Sequence, residues 1–223
     1  MPQLTLVIGN KNYSSWSLRP WLAMREAELE FEEIQIPLYT PEAPAQIRQY
    51  SPSGKVPALQ HGDIVVWDSL AILEYLVEQF PAVYWLPEDS KSRAIARSIC
   101  AEMHSGFTEL RQRMPMNIRA RYPGEGMTPA VQADIARITA IWQECRQAYQ
   151  TEGDFLFGEF TLADAMYAPV VTRFITYDVA LEPICQDYCE AIVAVPAMQE
   201  WIAAAHAEPE TIAMYDLEEY SQS

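Results

Sequence analysis

The sequence predicts an α/β domain built on a mixed four-stranded sheet, followed by an all-α helical bundle. Strand and helix signals alternate over the first eighty residues, whereas beyond about residue 90 the pattern is helical with short breaks. A stretch with two prolines and no helical period, residues 81–90, separates the two patterns. We therefore expect one domain over 1–80, a linker over 81–90 and a helical domain over 91–223.

Apolar runs and turn residues define the elements of the first domain. They predict four strands, at 4–8, 31–36, 58–60 and 64–67, with a hairpin loop at 61–63. A helix is expected at 16–27, with Pro20 in its first turn, where a missing N–H costs little. Trp16, Trp21 and Trp67 are expected to be packing residues.

Another helix is expected at 69–80, where Asp68 and Ser69 can both cap its start. Its apolar stripe would consist of Leu70, Leu73, Val77 and Phe80. The order of elements is then strand, helix, strand, helix, hairpin and helix.

The second domain is expected to contain two long antiparallel helices, at 92–121 and 129–151, separated by the helix breakers of 123–126. Thr161 and Asp164 have the spacing of a capping box and would open a helix that runs towards Tyr177. A last helix is expected at 196–207.

Composition limits the possible partners. Half of the residues are hydrophobic and the formal net charge is -16, so most of the surface would repel nucleic acid. The N-terminal residues show no signal-peptide pattern, and no stretch reaches about 18 apolar residues. We expect a cytosolic protein with no nucleic-acid or membrane partner.

Four cysteines occur, all after residue 99: Cys100, Cys145, Cys185 and Cys189. They form no CxxC pair and have no histidine at metal-ligand spacing. We therefore expect reduced, mostly buried thiols and no metal site.

Residues 54–69 suggest a binding site for a peptide-like molecule. Val56-Pro57 precedes a strand, and a cis Pro57 would turn the Val56 backbone N–H and C=O outward to pair with an extended ligand. The helix that begins at Ser69 offers free N–H groups to a carboxylate, and Asp68 suits an amine. Lys55 can reach a further carboxylate.

Three segments resemble cytosolic glutathione transferases over nearly the whole chain. SPSGKVPAL with VVWDSLAILEYL resembles their glutathione-site signature, NYSSWSLRPWL resembles the active-site segment of the serine-type classes, and FTLADAMYAP resembles the capping box of their second domain. The nearest likeness is to the zeta class, which is maleylacetoacetate isomerase-like. The resemblance implies a thioredoxin-like glutathione-binding domain, glutathione as co-substrate, a helical domain that shapes the second-substrate pocket, and a homodimer.

In this family the enzyme holds the glutathione thiol as thiolate, the nucleophilic form, whereas a free thiol has a pKa of roughly 8.5. A hydroxyl at a helix N-terminus can stabilise the anion. Ser14 is our first choice for that hydroxyl, Ser15 the second and Tyr13 the third, and at least one of the two serines is expected only to cap the helix. The choice stays open because the SSC triplet of the zeta class is missing.

The resemblance also indicates residues near the second-substrate pocket: His104, Arg111 and Met114. A helix C-terminus that attracts cations is an alternative explanation for the arginines at 111, 113, 119 and 121. Zeta-class isomerases carry an arginine where this chain has Thr176, and Arg173 could replace it in binding an acidic substrate. A surface position for Arg173 is the favoured interpretation.

Three functions follow. The first is a glutathione transferase that activates the thiol for attack on a small electrophile. The second is a catalytically silent binding or regulatory module with the same fold, and the third is a glutathione-dependent cis-trans isomerase of the maleylacetoacetate type. A mechanism that uses an enzyme thiol is disfavoured because all the cysteines lie outside the first domain.

Overall fold

A computed structural model describes residues 3–149 and 152–216. The first half confirms the predicted order of elements. Its strands and helices are β1 Leu4–Ile8, α1 Ser15–Glu26, β2 Phe31–Gln35, α2 Ala43–Tyr50, β3 Ala58–His61, β4 Ile64–Trp67 and α3 Ser69–Gln79.

The sheet has four strands in the order β2-β1-β3-β4 and is mixed, as predicted. β1 runs parallel to β2 and antiparallel to β3, so that Leu6 lies opposite both Glu33 and Leu59. Because side chains alternate along a strand, Leu6 joins the core shared with α1 and α3, while Val7 joins a small cluster with α2 on the other face.

The second half is helical, which confirms the predicted fold class. Its helices are α4 Ser90–Ser105, α5 Thr108–Arg113, α6 Pro129–Tyr149, α7 Leu162–Thr176, α8 Pro183–Ala194 and α9 Pro196–Ala207. The predicted capping box is present: Asp164 accepts from the Thr161 backbone N–H at 2.8 Å. α7 packs against α1, α4 and α8, so it lies at the centre of the molecule. None of the helices described is long and apolar enough to cross a membrane.

One helix prediction was wrong, and one helix was not predicted. The helix expected at 92–121 is interrupted: the Gly106 N–H closes α4 on the Glu102 carbonyl, and Phe107 adopts a left-handed conformation with φ of 54° before α5 begins. α8 was missed altogether. Of the helix expected at 129–151, α6 covers Pro129–Tyr149, and residues 150 and 151 lie outside the described residues.

Three smaller expectations also need correction. Because α1 begins at Ser15, Pro20 lies inside the helix rather than in its first turn. Trp67 is 46% exposed and is therefore not a packing residue. On α3 the fully buried face is formed by Ile72, Leu73 and Leu76, whereas the other residues of the expected stripe are only partly buried.

Candidate active site

The Val56-Pro57 peptide bond is cis and leads directly into β3. The Val56 N–H and C=O make no hydrogen bond within the described part of the chain. Both groups are therefore available to an extended ligand. Lys55 precedes this pair with an exposed side chain, and its N–H donates to Ser53 Oγ at 3.2 Å.

The start of α3 combines a free hydroxyl with a carboxylate. Asp68 is the N-cap residue, and its side chain accepts from the Leu70 N–H at 2.9 Å. The Ser69 side chain is buried, yet its Oγ has no hydrogen-bond partner among the described residues. A buried hydroxyl normally has a partner, so this one fits an anionic ligand group bound at the helix N-terminus.

His104, from α4, extends this region. Its Nε2 lies 2.8 Å from the Asp68 carboxylate, and its ring meets the Trp16 ring edge-on with centroids 5.4 Å apart. The structure therefore brings His104 to the Asp68 carboxylate and to the Trp16 ring on α1.

The two candidate serines have different hydrogen bonds. Ser14 Oγ donates to Ser17 Oγ at 2.7 Å, and Ser17 Oγ in turn accepts from the Gly9 N–H at 3.1 Å. Ser14 occupies the N-cap position of α1 but makes no side-chain capping bond. Ser15 Oγ accepts from Arg173 Nη2 at 3.2 Å, and its own hydrogen has no acceptor among the residues described. The geometry thus leaves the Ser15 hydroxyl as the free donor.

Tyr13 is engaged elsewhere. Its hydroxyl lies 2.8 Å from the Asp216 carboxylate and accepts from Arg119 Nη2 at 3.0 Å and from the Ile212 N–H at 3.2 Å. Burial, together with the bond to Asp216, raises the pKa of Tyr13. The hydroxyl hydrogen is already donated, so Tyr13 is poorly placed to stabilise a thiolate.

Arg173 is buried, so the favoured surface interpretation was wrong. Its side chain is 3% exposed and donates to the Met114 carbonyl at 2.9 Å and the Pro169 carbonyl at 3.0 Å, besides Ser15. Burial, with the charge of Arg111 nearby, lowers the pKa of Arg173 to about 10. The side chain remains a cation at neutral pH and is fixed by three hydrogen bonds.

Two further guanidinium groups, those of Arg19 and Arg111, lie near the guanidinium of Arg173. Arg19 stacks on the Trp16 ring at 4.2 Å, and Arg111 lies 5.3 Å from the same ring. Arg19 is buried, its Nε and Nη1 have no hydrogen-bond partner in the described structure, and burial followed by repulsion from Arg173 lowers its pKa to about 9. Within residues 3–149 and 152–216, none of these three arginines forms an ion pair with a carboxylate. The cluster therefore favours an anion.

The other residues expected near the pocket have mixed roles. Arg111 donates to the His104 carbonyl at the end of α4, which supports the helix C-terminus interpretation for this arginine. Met114 is fully buried, and its carbonyl helps to hold Arg173. Arg113 and Arg121 are exposed and lie close to Glu109 and Asp178.

Family models decide the identity. One described as glutathione S-transferase, N-terminal domain, matches residues 13–79, and one described as glutathione S-transferase, C-terminal domain, matches residues 94–204. The chain belongs to the glutathione S-transferase family.

Relatives within this family confirm the likeness to the zeta class. A zeta-class glutathione S-transferase from Euphorbia esula is 30% identical, over 83% of this chain and 84% of its own length. A probable maleylacetoacetate isomerase from Caenorhabditis elegans is 29% identical, over 87% and 88%. The crystal structure of a Burkholderia glutathione transferase homologue with bound glutathione superimposes with a TM-score of 0.69 at 25% identity, covering 92% of this chain and 98% of that one.

None of the four cysteines lies in the first domain, although Cys100 on α4 is close enough to Arg19 to interact with its charge. All four are free and buried, as expected, and burial raises the pKa of Cys145 and of Cys189 to about 12. No group of three or more His, Cys, Asp or Glu side chains that could hold a metal occurs among the described residues.

Three residues of the site were not singled out as site residues from the sequence: Ser17, Arg19 and Glu208. Ser17 could have been found, because it lies one helical turn after Ser14 and can reach its hydroxyl. Glu208 accepts from the backbone of the loop that precedes Ser14, across 196 residues of sequence. No local pattern indicates such a distant contact.

Proposed function

We propose that this glutathione S-transferase family member is an enzyme that activates the glutathione thiol as thiolate for attack on a small electrophile. The observation that carries the proposal is the Ser15 hydroxyl, which accepts from Arg173 and keeps its own hydrogen free. A hydroxyl polarised by a cation at the start of a helix is a strong donor to an anionic sulfur.

The proposed binding mode uses the two ends of glutathione separately. Its α-carboxylate would bind Ser69 Oγ and the N-terminus of α3, and its ammonium group would bind Asp68. The central peptide would pair with the free Val56 N–H and C=O, and Lys55 would approach the glycine carboxylate. The unpartnered Ser69 Oγ supports this orientation, since a carboxylate there would satisfy it.

The required energy is modest. To lower a thiol pKa by one to two units takes about 1.4 to 3 kcal/mol of preferential stabilisation of the anion. A hydrogen bond to a charged group contributes about 1.5–3 kcal/mol. The Ser15 hydroxyl, with Arg173 behind it, is therefore sufficient in principle, and Ser14 would act by holding Ser17.

The arginine cluster favours an acidic second substrate. Arg19 and Arg111 lie over the Trp16 ring, Arg173 is close enough to both for repulsion to add to burial in lowering its pKa and that of Arg19, and none of the three has a carboxylate partner in the described structure. An electrophile that carries a carboxylate would supply the missing counter-charge. Together with relatives named maleylacetoacetate isomerase, this observation supports glutathione-dependent cis-trans isomerisation as a second candidate function.

We also infer that the chain works as a homodimer in the cytosol. β4 lies at the edge of the sheet, and its exposed Ile64 and Trp67 offer apolar surface to a second copy. The free, buried cysteines suit a reducing compartment.

A paired assay tests the proposed function. Purified protein with glutathione is given a neutral electrophile, a carboxylate-bearing electrophile, and a cis-configured diketo-dicarboxylic acid, and adduct formation and isomerisation are followed separately. We expect turnover with preference for the carboxylate-bearing compounds. Binding of glutathione without turnover of any compound would instead support the silent binding module.

A further inference from the structure

The loop between β1 and α1 is held by a segment from the far end of the described chain. Residues 208–216, here called the C-terminal strap, follow α9 and cross this loop. The Glu208 carboxylate accepts from the Lys11 N–H through one oxygen and from the Asn12 N–H, at 2.9 Å, through the other. Both oxygens therefore serve consecutive backbone groups.

A second set of bonds fastens the same loop. Asn12 Nδ2 donates to Asn117 Oδ1 at 2.8 Å, and Asn12 Oδ1 accepts from the Arg119 N–H at 2.9 Å. The Arg119 guanidinium donates to the Glu208 carbonyl and, at 2.7 Å, to the Glu210 carbonyl. The strap, the loop and the segment after α5 thus form one connected network.

The loop leads directly to the serine of the proposed function. The Ser14 N–H donates to the Asn10 carbonyl at 2.8 Å, and the Ser15 N–H donates to the Tyr13 carbonyl at 3.1 Å. A displacement at Lys11 or Asn12 is therefore transmitted through this short turn to Ser15. Ser15 must remain within hydrogen-bond distance of Arg173, on a different element.

We propose that Glu208 is a positioning residue: its carboxylate fixes the β1–α1 loop so that the Ser15 hydroxyl faces the glutathione sulfur. This inference rests on the proposed function. Glu208 is 9% exposed, and its ionised form is the one with acceptors for both N–H groups. The same carboxylate also accepts from Gln35 Nε2 at the end of β2, which ties the loop and the strap to the sheet.

Glu208→Gln tests the role with little change in volume. The glutamine keeps one acceptor oxygen but turns an NH₂ group towards the second backbone N–H, so one bond is lost and two donors face each other. Glu210→Gln is the matched control, because Glu210 lies in the same strap and only its backbone carbonyl takes part in the network. If Glu208→Gln does not fold, Arg119→Lys is the second variant, because it weakens the bonds from the segment after α5 to the Glu208 and Glu210 carbonyls.

The measurement is the pKa of glutathione thiol bound to each variant, from ultraviolet difference titration, together with the glutathione Kd and the melting temperature. We expect Glu208→Gln to raise the bound thiol pKa by about one unit while Kd changes less than threefold, and Glu210→Gln to match the wild type. If the wild type binds glutathione as thiolate and the bound thiol pKa is the same in Glu208→Gln and in Arg119→Lys, the positioning role is overturned and the proposed function is unaffected. A wild type that forms no thiolate overturns both.

Discussion

Arg173 Nη2 donates to Ser15 Oγ at 3.2 Å, joining the central helix α7 to the first residue of α1. The two residues are 158 positions apart, yet both are buried where α1 packs on α7. The contact orients the Ser15 hydroxyl and brings a positive charge behind it. It also links the helix that binds the second substrate in our proposal to the group that activates the first.

Arg173→Lys should distinguish the effect of the positive charge of Arg173 from the effect of its three hydrogen bonds. Lysine keeps the charge but cannot donate to Ser15, Met114 and Pro169 from one planar group. We expect kcat/KM for a carboxylate-bearing electrophile to fall about 10- to 100-fold, the equivalent of one or two hydrogen bonds to charged groups. Steady-state kinetics measures this. Arg121→Lys, at an exposed arginine, is the control, and equal activity of both variants would count against the Arg173 contact.

Arg111→Met should change substrate preference more than overall activity. Arg111 faces the Trp16 ring, whereas Arg113, on the same short helix, is exposed and lies 3.9 Å from Glu109. We expect Arg111→Met to raise KM about tenfold for a carboxylate-bearing electrophile and to leave KM for a neutral one nearly unchanged. Competition assays with both electrophiles provide the measurement. If Arg113→Met raises KM for the carboxylate-bearing electrophile as much as Arg111→Met does, the change in KM comes from the net charge of the surface and not from the position of Arg111.

Ser69→Ala should weaken glutathione binding without destabilising the fold. The Ser69 Oγ is buried without a partner in the described structure, so its removal breaks no internal hydrogen bond. We expect the Kd for glutathione to rise about tenfold, the value of one hydrogen bond to a carboxylate, with an unchanged melting temperature. Isothermal titration calorimetry gives the Kd. Ser98→Ala is the control and should bind as the wild type does, because the Ser98 hydroxyl bonds only to the Ala94 carbonyl among the residues described.

Asp164 predicts a specific pH dependence of stability. Burial raises its pKa to about 6, although it accepts from the Leu156 N–H and from both donors of Thr161. Because the folded-state pKa is raised, this carboxyl stabilises the fold fully below its unfolded pKa and loses that contribution as pH rises through about 6. The loss corresponds to about 3 kcal/mol.

Asp164→Asn removes this titration and two of the acceptor sites. We expect the variant to be less stable than the wild type by about 2 kcal/mol at pH 7, with a larger deficit at pH 4.5. Urea unfolding at both pH values measures the difference. Exposed Asp154→Asn should show no deficit, and an Asp164→Asn deficit that does not grow towards acid pH would contradict the assignment.

The geometry around the residues proposed to bind glutathione could be predicted because it is local. Asp68 caps the helix that starts one residue later, and Val56 and Pro57 lie directly before their strand. Contacts of this kind connect near neighbours, so a motif in the sequence carries them. The hairpin was predictable for the same reason, whereas the mixed sheet was predicted from the order of strands and helices along the chain.

The contacts around the proposed activating hydroxyl could not be predicted in detail. Our choice between Ser14 and Ser15 depends on their bonds to Ser17 and Arg173, and the role that we propose for Glu208 depends on contacts across more than 190 residues. One signal was available for Arg173: α7 is apolar on nearly all sides, and such a helix is buried together with any charge it carries. The break between α4 and α5 was missed because Phe107, a residue without turn preference, adopts the left-handed conformation.

The most direct test of the account is ultraviolet difference spectroscopy of glutathione bound to wild type, Ser15→Ala and Ser14→Ala between pH 5 and 9. We expect a saturable thiolate band in the wild type, a thiol pKa raised by about one to two units in Ser15→Ala, and a much smaller change in Ser14→Ala. A band that persists in Ser15→Ala and disappears in Ser14→Ala would contradict the assignment of the activating hydroxyl. The absence of any band in wild type saturated with glutathione would contradict thiolate activation itself.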